Sequence, residues 1–464
     1  MQQDTIVAIA TPFGKSGVGV LRISGPQAAE LLGRLFQSKR GLAVAEWQSH
    51  HLYLGKLYDE AGCLLDTALA VLMRAPHSYT GEDVAEFQTH GGMRLLQHAL
   101  DATLACGARL ATPGEFTLRA FLNGKLDLSQ AEAVLDIIEA KTPSAAQLAA
   151  AQLEGKLSRR VAEIEAQVRG ILARITVAVD FPDDADAPLP EELQALLAAA
   201  EQAIAELLAT AGTGRVLREG LRTALVGAVN VGKSSLLNQL LGTERAIVAG
   251  QPGTTRDVIE ETLDLDGLPL LLIDTAGFRA PDLADEVERI GMARSRQALD
   301  MAQLVLLVID AQRGLDAEAT RLLAETQGRP RLLILNKCDV ADEAMLASLE
   351  DALRSAAPGE EPLRLSALTG DGVAALSQAV RRCLALGAEQ DASAAMLSNA
   401  RQQQAVLRAQ QALAEASAAL AAGQEPDLVA IDVENALSAL GEISGRSASE
   451  QVLEEVFSRF CLGK

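Results

Sequence analysis

The sequence predicts three kinds of fold on one chain. An α+β domain covers 1–118, helical segments cover 119–217 and 383–464, and an α/β doubly wound domain covers 218–382; the simplest architecture inserts this last domain between two parts of one all-α helical domain, and two separate helical domains would read the same. Three observations predict this. The apolar run Leu221–Val226 leads into Gly227-Ala228-Val229-Asn230-Val231-Gly232-Lys233-Ser234 and then into the helix-forming run Ser235–Leu241, a strand–loop–helix unit. Strand-like and helix-like segments then alternate to about residue 382, the pattern of a mostly parallel sheet. On both sides of that region apolar residues recur at three- and four-residue spacing, the period of amphipathic helices.

Composition bounds the answer. A chain of 464 residues exceeds a single core, so about three domains are expected. With 49% hydrophobic and 22% charged residues it is globular rather than disordered. A net charge of −21 excludes a generally basic surface that grips nucleic acid; such a substrate would need a local patch or a partner's surface. Five scattered cysteines without a CxxC pair fit a reducing cytosol. The start, Met1-Gln2-Gln3-Asp4, has no basic, apolar leader pattern, and the longest apolar strand run, Leu304–Ile309, is too short to span a bilayer. A soluble, cytoplasmic protein without membrane contact is therefore expected.

In the first domain, Thr5–Ala10 and Gly19–Ser24 read as strands. His51–Tyr58 and Leu64–Met73 read as a hairpin around Asp59-Glu60-Ala61-Gly62, and Gly91–Cys106 as a helix ended by Gly107. In the helical region, Leu128–Glu139, Ser144–Val179 and Glu191–Thr210 carry the helical period, and Phe181-Pro182-Asp183-Asp184 interrupts it. The inserted domain offers strands at Leu221–Val226, Ile259–Leu265, Pro269–Ile273, Leu304–Ile309, Arg331–Leu335 and Leu363–Leu365, with Asp266-Gly267 as a hairpin turn. Ala400–Ala421 and Leu428–Leu440 are the clearest helices after it.

The glycine-rich loop fits a phosphate-binding loop. Its backbone N–H groups, from Asn230, Val231 and Gly232 through Lys233, Ser234 and Ser235, converge on phosphate oxygens at a helix N-terminus. Lys233 reaches the β- and γ-phosphates, and the Ser234 hydroxyl serves Mg²⁺. Further motifs follow in order. Ala249-Gly250-Gln251-Pro252-Gly253-Thr254-Thr255 offers Thr255 as a second hydroxyl on Mg²⁺. In Asp274-Thr275-Ala276-Gly277, Asp274 holds Mg²⁺ through water and the Gly277 N–H meets the γ-phosphate. In Asn336-Lys337-Cys338-Asp339 the Asp339 carboxylate accepts the N1–H and the exocyclic amine of guanine, a donor pair that adenine lacks. Ser366-Ala367-Leu368 brings a backbone N–H to the guanine O6. The order and spacing of the whole set read as a GTP-binding, P-loop GTPase domain.

Residue 278 is phenylalanine, where many GTPases carry a glutamine that orients the attacking water. Another group must do this. The carboxylates of Asp285-Glu286-Val287-Glu288 are candidates, and Arg256, Arg279 and Arg289 are candidate arginine fingers.

The chain resembles the bacterial tRNA-modification GTPases of the MnmE (TrmE) type over its whole length. The resemblance rests on residues 17–25, Tyr79-Thr80-Gly81-Glu82-Asp83-Val84, His90-Gly91-Gly92, the run 113–128, Asp257, residues 285–291 and the tail Phe460-Cys461-Leu462-Gly463-Lys464. It implies that the first domain resembles tetrahydrofolate-binding folds, dimerises and takes 5-formyltetrahydrofolate or a related folate. The matching positions are Arg22, Glu86, Lys125 and Lys464; apart from the resemblance each reads as a surface charge. It also implies a K⁺ ion held by Asn230, by the Ala249 and Gln251 carbonyls and by Thr254, acting when the nucleotide domains dimerise. Glu288 would position the water, so Glu288 and Lys233 form the catalytic pair. The loop before Gly253 departs from the family's usual Thr-Asp-Ile-Ala: Ala249 lacks a hydroxyl and Pro252 lacks an N–H, so the K⁺ shell should lean on carbonyls. Cys461 stays outside the catalytic set.

Two functions are then in view. The first is a K⁺-activated GTPase that works with an FAD-dependent GidA-like (MnmG) partner, as a homodimer within a heterotetramer, on the wobble uridine of tRNA. The second is a regulatory GTPase switch controlling partner docking or ribosome assembly. The folate-like first domain favours the first.

Overall fold

The computed structural model describes residues 4–12, 14–180, 190–242, 261–273, 299–384 and 393–464. It divides into two compact units, residues 1–135 with 440–464, and residues 136–439.

In the first unit β1 (Ile6–Ile9), β2 (Ser16–Ser24), β3 (Phe36–Ser38), β4 (Tyr53–Tyr58), β5 (Leu64–Met73), β6 (Val84–Gly91) and β7 (Arg109–Leu110) form one sheet in the order β3-β4-β5-β6-β2-β1-β7. Neighbours are antiparallel except β1 with β7. Helices α1 (Ala28–Leu35) and α2 (Met93–Ala105) supply Leu31, Leu35, Leu96 and Leu100 to a core with Val7, Ile9, Leu21, Ile23, Leu72 and Phe87. The alternate residues Ile6 and Ala8 meet Phe116 of α3 (Glu115–Leu122) on the other side, so the period of two buries β1 on both faces. The start of α4 (Leu128–Glu139) packs Leu128, Ala131 and Leu135 with Phe457 and Phe460 of the C-terminal tail.

The Asp59–Gly62 hairpin forms as expected. Asp59 Oδ1 accepts the N–H groups of Ala61 and Cys63, and Gly62 takes φ +83°. Three strands were not anticipated, the short β3 and β7 and the longer β6. β6 buries Ala85, Phe87 and Thr89 on alternate positions between β5 and β2. Only one of those three residues is strongly apolar, so the alternation is faint in sequence.

The second unit begins with helices α5 (Pro143–Leu153) and α6 (Lys156–Asp180), where the sequence suggested a single helix over 144–179. Gly155 at φ +79° ends the first helix, a conformation in which glycine carries no Cβ penalty. Helix α7 (Pro190–Ala209) runs on into α8 (Ala211–Glu219). The continuous helical stretch Pro190–Glu219 is long and apolar enough to cross a membrane by length and composition. Its Leu193, Leu197, Ala200, Ile204 and Leu207 are buried within the unit.

The nucleotide-type sheet has the order β13-β12-β11-β8-β10-β9, built from β8 (Leu221–Val226), β9 (Glu261–Leu265), β10 (Leu268–Ile273), β11 (Leu304–Asp310), β12 (Arg331–Asn336) and β13 (Leu363–Arg364). Only β9–β10 is antiparallel, through a turn in which Asp266 (φ +51°) and Gly267 (φ +81°) both take the left-handed conformation of a tight hairpin. Helices α9 (Lys233–Gly242), α10 (Ala317–Glu325), α11 (Glu343–Ala356) and α12 (Val373–Cys383) flank it. Their buried leucines divide between two cores, one containing Leu236, Leu240 and Leu376, the other Leu322, Leu349 and Leu353, as a doubly wound sheet requires.

Helix α13 (Ala400–Ala421) returns along α7 and buries Ala405, Ala409, Ala412, Ala416 and Ala419, whose small side chains let the helices approach. Gln152 Nε2 donates to Met396 O and Ser398 Oγ, and Gln194 Nε2 to Ser417 Oγ, tying the segments before and after the sheet to each other. Helices α14 (Pro426–Ser444) and α15 (Glu450–Ser458) complete the chain.

Candidate functional site

The loop after β8 is closed to side chains at two positions. A Cβ on Gly227 would lie 2.3 Å from Val308 O, and one on Gly232 (φ +95°) 2.2 Å from Asn336 Nδ2. Asn230 sits at φ +66°, a region that asparagine tolerates better than most residues. Helix α9 starts at Lys233, so the loop's N–H groups stand at the positive end of a helix. Lys233 Nζ donates to Gly227 O (2.6 Å) and Ala228 O (2.7 Å), and burial pushes its pKa down. The Ser234 and Ser235 side chains are exposed.

The segments expected to recognise the base meet this loop. Asn336, 1% exposed, ends β12; its Nδ2 donates to Val231 O (2.8 Å) and its Oδ1 accepts the Ala367 N–H (2.9 Å). One side chain thus joins the phosphate loop, the β12 end and the Ser366–Leu368 turn. Lys337 Nζ donates to Asn230 O (2.9 Å) and pairs with Asp310 (2.7 Å). Asp339 is exposed in a short 3₁₀ turn, with its carboxylate open to a base. Ser366 is buried, with Oγ accepting the Thr369 N–H, and Leu368 is exposed. Burial pushes the Cys338 thiol up, which argues against a thiolate nucleophile beside the base.

A second cluster stands in the first unit. Strand register sets Arg22 directly opposite Glu86, with Nε 2.7 Å from Oε1. The guanidinium lies 5.7 Å from the Tyr79 ring centre and 5.9 Å from that of Phe116, and Nη1 donates to Gly463 O (3.4 Å). Gly463 lies so close to β1 that a Cβ would be 2.4 Å from Ile9 O. Lys125 Nζ donates to Pro76 O (3.1 Å), three residues before Tyr79. Lys464 is half-buried and its N–H donates to Cys461 O (3.4 Å), while Cys461 itself is exposed.

Beside this cluster runs an ion network. Arg119, 9% exposed, contacts Asp4, Glu82 and Glu115, and Arg109 bonds Asp4 and Glu115. Burial pushes the Glu115 carboxyl up, but hydrogen bonds from Arg109, the Thr112 N–H and Arg119 outweigh it and hold the group at about 2. The Arg109 hydrogen bond holds Asp4 below its usual value against a smaller burial effect.

Comparison with known proteins bears on both regions. A model described as the MnmE helical domain matches residues 128–461, and one described as the GTP-binding protein TrmE N-terminus matches residues 5–125. A tRNA modification GTPase MnmE of Symbiobacterium thermophilum is 46% identical over 466 residues, covering all of both chains. The chain belongs to the MnmE family of tRNA modification GTPases. Roseiflexus sp. has a relative of the same name, 44% identical over all of both chains, and Lactiplantibacillus plantarum one 44% identical over 99% of this chain and 98% of its own. As a member of the MnmE family this protein is a GTP hydrolase with an N-terminal TrmE domain, a helical domain and a P-loop GTPase fold.

Of the site residues expected for an MnmE-type GTPase, the structure ties Asn230 to Lys337 and Val231 and Ala367 to Asn336 by hydrogen bonds, sets Gly232 against Asn336, and bonds Lys233 to the Gly227 and Ala228 carbonyls of the same loop. Ser234, Ser235, Asp339 and Leu368 are exposed and Ser366 is buried. Ala249, Gly250, Gln251, Pro252, Gly253, Thr254, Thr255, Asp274, Thr275, Ala276, Gly277 and Glu288 lie outside the described residues, as do Phe278, Arg256, Arg279, Arg289 and the 181–184 stretch. Two of the residues expected to hold ions are described, and their chemistry suits that task. Ser234 offers an exposed hydroxyl next to Lys233, and the Asn230 amide is exposed with no hydrogen-bond partner among the described residues. Arg22 and Glu86 meet; Lys125 and Lys464 are not bonded to them among the described contacts.

Sequence reasoning missed Asp310, Asp4, Glu115 and Arg119 as members of these clusters. Asp310 had a positional signal, since ligands gather at the carboxyl ends of parallel strands. Asp4 had none, because its partners lie more than a hundred residues away.

Proposed function

We propose that this protein is a K⁺-activated GTPase that works with an FAD-dependent GidA-like partner to install the (carboxymethyl)aminomethyl group at C5 of the wobble uridine of certain tRNAs. It acts in the cytoplasm as a homodimer within a heterotetramer. What supports the reading most is the full-length likeness to relatives named for tRNA modification.

The residues take the following roles. Val231–Ser235 N–H groups and Lys233 bind the phosphates, Asp339 and the Ala367–Leu368 backbone select guanine, and Ser234 with Thr255 holds Mg²⁺. Asn230, the Ala249 and Gln251 carbonyls and Thr254 hold K⁺. When bound, the two ions supply positive charge where the phosphates and their transition state are most negative. Glu288 orients the attacking water, the task that Phe278 cannot perform. Arg22 and Lys125 attract the anionic parts of a folate, Glu86 accepts pterin N–H groups, and Lys464 closes the tail over them. Hydrolysis is coupled to dimerisation of the nucleotide domains.

GTP hydrolysis measured in KCl and in NaCl tests the cation role. A strong rise in K⁺ is expected; equal rates would reject it. Glu288→Ala should cut hydrolysis and spare GTP binding, and lost binding would move Glu288 to a structural role.

A further inference from the structure

Asp310 ends β11, between β12 and β8, and belongs to none of the nucleotide motifs. It is 3% exposed. Its Oδ1 accepts the Gln312 N–H (2.9 Å), and its Oδ2 lies 2.7 Å from Lys337 Nζ. The same ammonium donates to Asn230 O (2.9 Å). Asn230 and Lys337 each take φ +66°, two of the four non-glycine residues with positive φ among the described residues. The left-handed residue of the phosphate loop is therefore bonded to the left-handed residue of the base loop, and one buried carboxylate anchors the link.

The energetics favour such an anchor. A non-glycine residue in the left-handed region costs energy and persists only where its surroundings hold it. A lysine ammonium on a four-carbon stem loses rotamer entropy when it is fixed, so an accepting carbonyl alone holds it weakly. A buried opposite charge makes the bond charge-assisted and the position unique. Arg313, a second cation near Asp310 at 3.9 Å, is half-exposed and reaches Val229 O (3.3 Å). The Asn336–Val231 bond gives a second, uncharged tie between the same two loops.

We propose that Asp310 is a positioning residue for guanine-nucleotide binding: it holds the Lys337 ammonium on the Asn230 carbonyl and so fixes the base-recognition loop against the phosphate loop. The spacing between Asp339 and the loop N–H groups is then set before nucleotide arrives, which lowers the ordering cost of binding.

The test uses the full chain, with fluorescent GDP and GTP binding and steady-state hydrolysis. Asp310→Ala should raise the Kd for both nucleotides about tenfold, as expected for loss of one charge-assisted bond. The loss should fall on KM more than on kcat. Asp310→Asn keeps an acceptor for Lys337 and should recover part of it. Asp310→Ala combined with Lys337→Ala should bind no worse than the weaker single variant to within about twofold, because the two act as one clamp. A Kd for Asp310→Ala within about twofold of wild type, or losses that multiply in the double variant, would overturn the proposal. Should Asp310→Ala fail to fold, Asp310→Asn carries the test, with a Kd raised by about threefold expected and an unchanged Kd overturning it.

Discussion

The nucleotide site and the Arg22–Glu86 cluster are built from different materials. At the nucleotide site the contacts end on backbone. Gly227 touches the Val308 carbonyl, Gly232 touches Asn336, and Lys233 and Lys337 end on loop carbonyls. The cluster in the first unit is made of charged side chains. Arg22 meets Glu86 across two strands, and Arg119 gathers Asp4, Glu82 and Glu115. A backbone-built site fails when a Cβ is added, and a side-chain-built site fails when a charge is removed. The two regions should therefore break under different substitutions.

Lys233→Ala should have the largest effect. Loss of the one ammonium in the phosphate loop should lower kcat/KM for GTP by about a thousandfold. It should leave hydrogen exchange in β1 and β2 unchanged; a change there would blur the distinction between the regions. Arg119→Ala should do the reverse. It takes the cation from Glu82 and leaves Asp4 and Glu115 to Arg109 alone, and should destabilise the first unit by about 3 kcal/mol, read as faster exchange in β1, β2 and β6 with GDP affinity unaltered.

Acid probes the same network. The folded Glu115 carboxyl, held at about 2, lies below its ordinary 4.5. A depressed folded pKa stabilises above the unfolded value, so its contribution is complete above about pH 4.5 and is lost as the pH falls toward about 2. Melting of the first unit should follow that window and become shallower in Arg109→Ala, which removes the largest of the effects that lower the Glu115 pKa. A flat profile in the wild type would remove Glu115 from the account.

Gly232→Ala should cost about 2 kcal/mol, since its Cβ meets Asn336 Nδ2 and its φ of +95° is strained for alanine. Weakened GDP binding should accompany the fall in Tm, and a neutral result would show that Asn336 can move aside. The smallest effect is that of Arg22→Lys. It keeps the charge and loses the planar fork, and should weaken 5-formyltetrahydrofolate binding by about tenfold; equal affinity would take Arg22 out of the folate site.

The same contrast explains what could be read without coordinates. The phosphate loop, Asn336–Asp339 and Ser366–Leu368 are each contiguous, because a backbone-built site needs its glycines and polar ends at fixed local spacing. The alternation of strands and helices in residues 218–382 was legible for the same reason, and the hairpin at Asp266-Gly267 announces itself by turn chemistry. In the first unit the partners lie 64 residues apart for Arg22 and Glu86, and 115 for Arg119 and Asp4. No local spacing marks them, and β6, which carries Glu86 to its place, hides behind Ala85 and Thr89. Arg22 and Glu86 stood out only through resemblance. Asp310 drew no attention because a single carboxylate after an apolar strand looks like any strand end until Lys337 is placed against it.

The proposed function requires both regions to serve one reaction on tRNA. Nucleoside analysis of tRNA from cells lacking the gene, complemented with the wild type, Lys233→Ala or Arg22→Ala, decides whether they do. Loss of the C5 modification of wobble uridine, restored by the wild type and by neither variant, is the predicted result. An unchanged wobble uridine in the cells lacking the gene would contradict it.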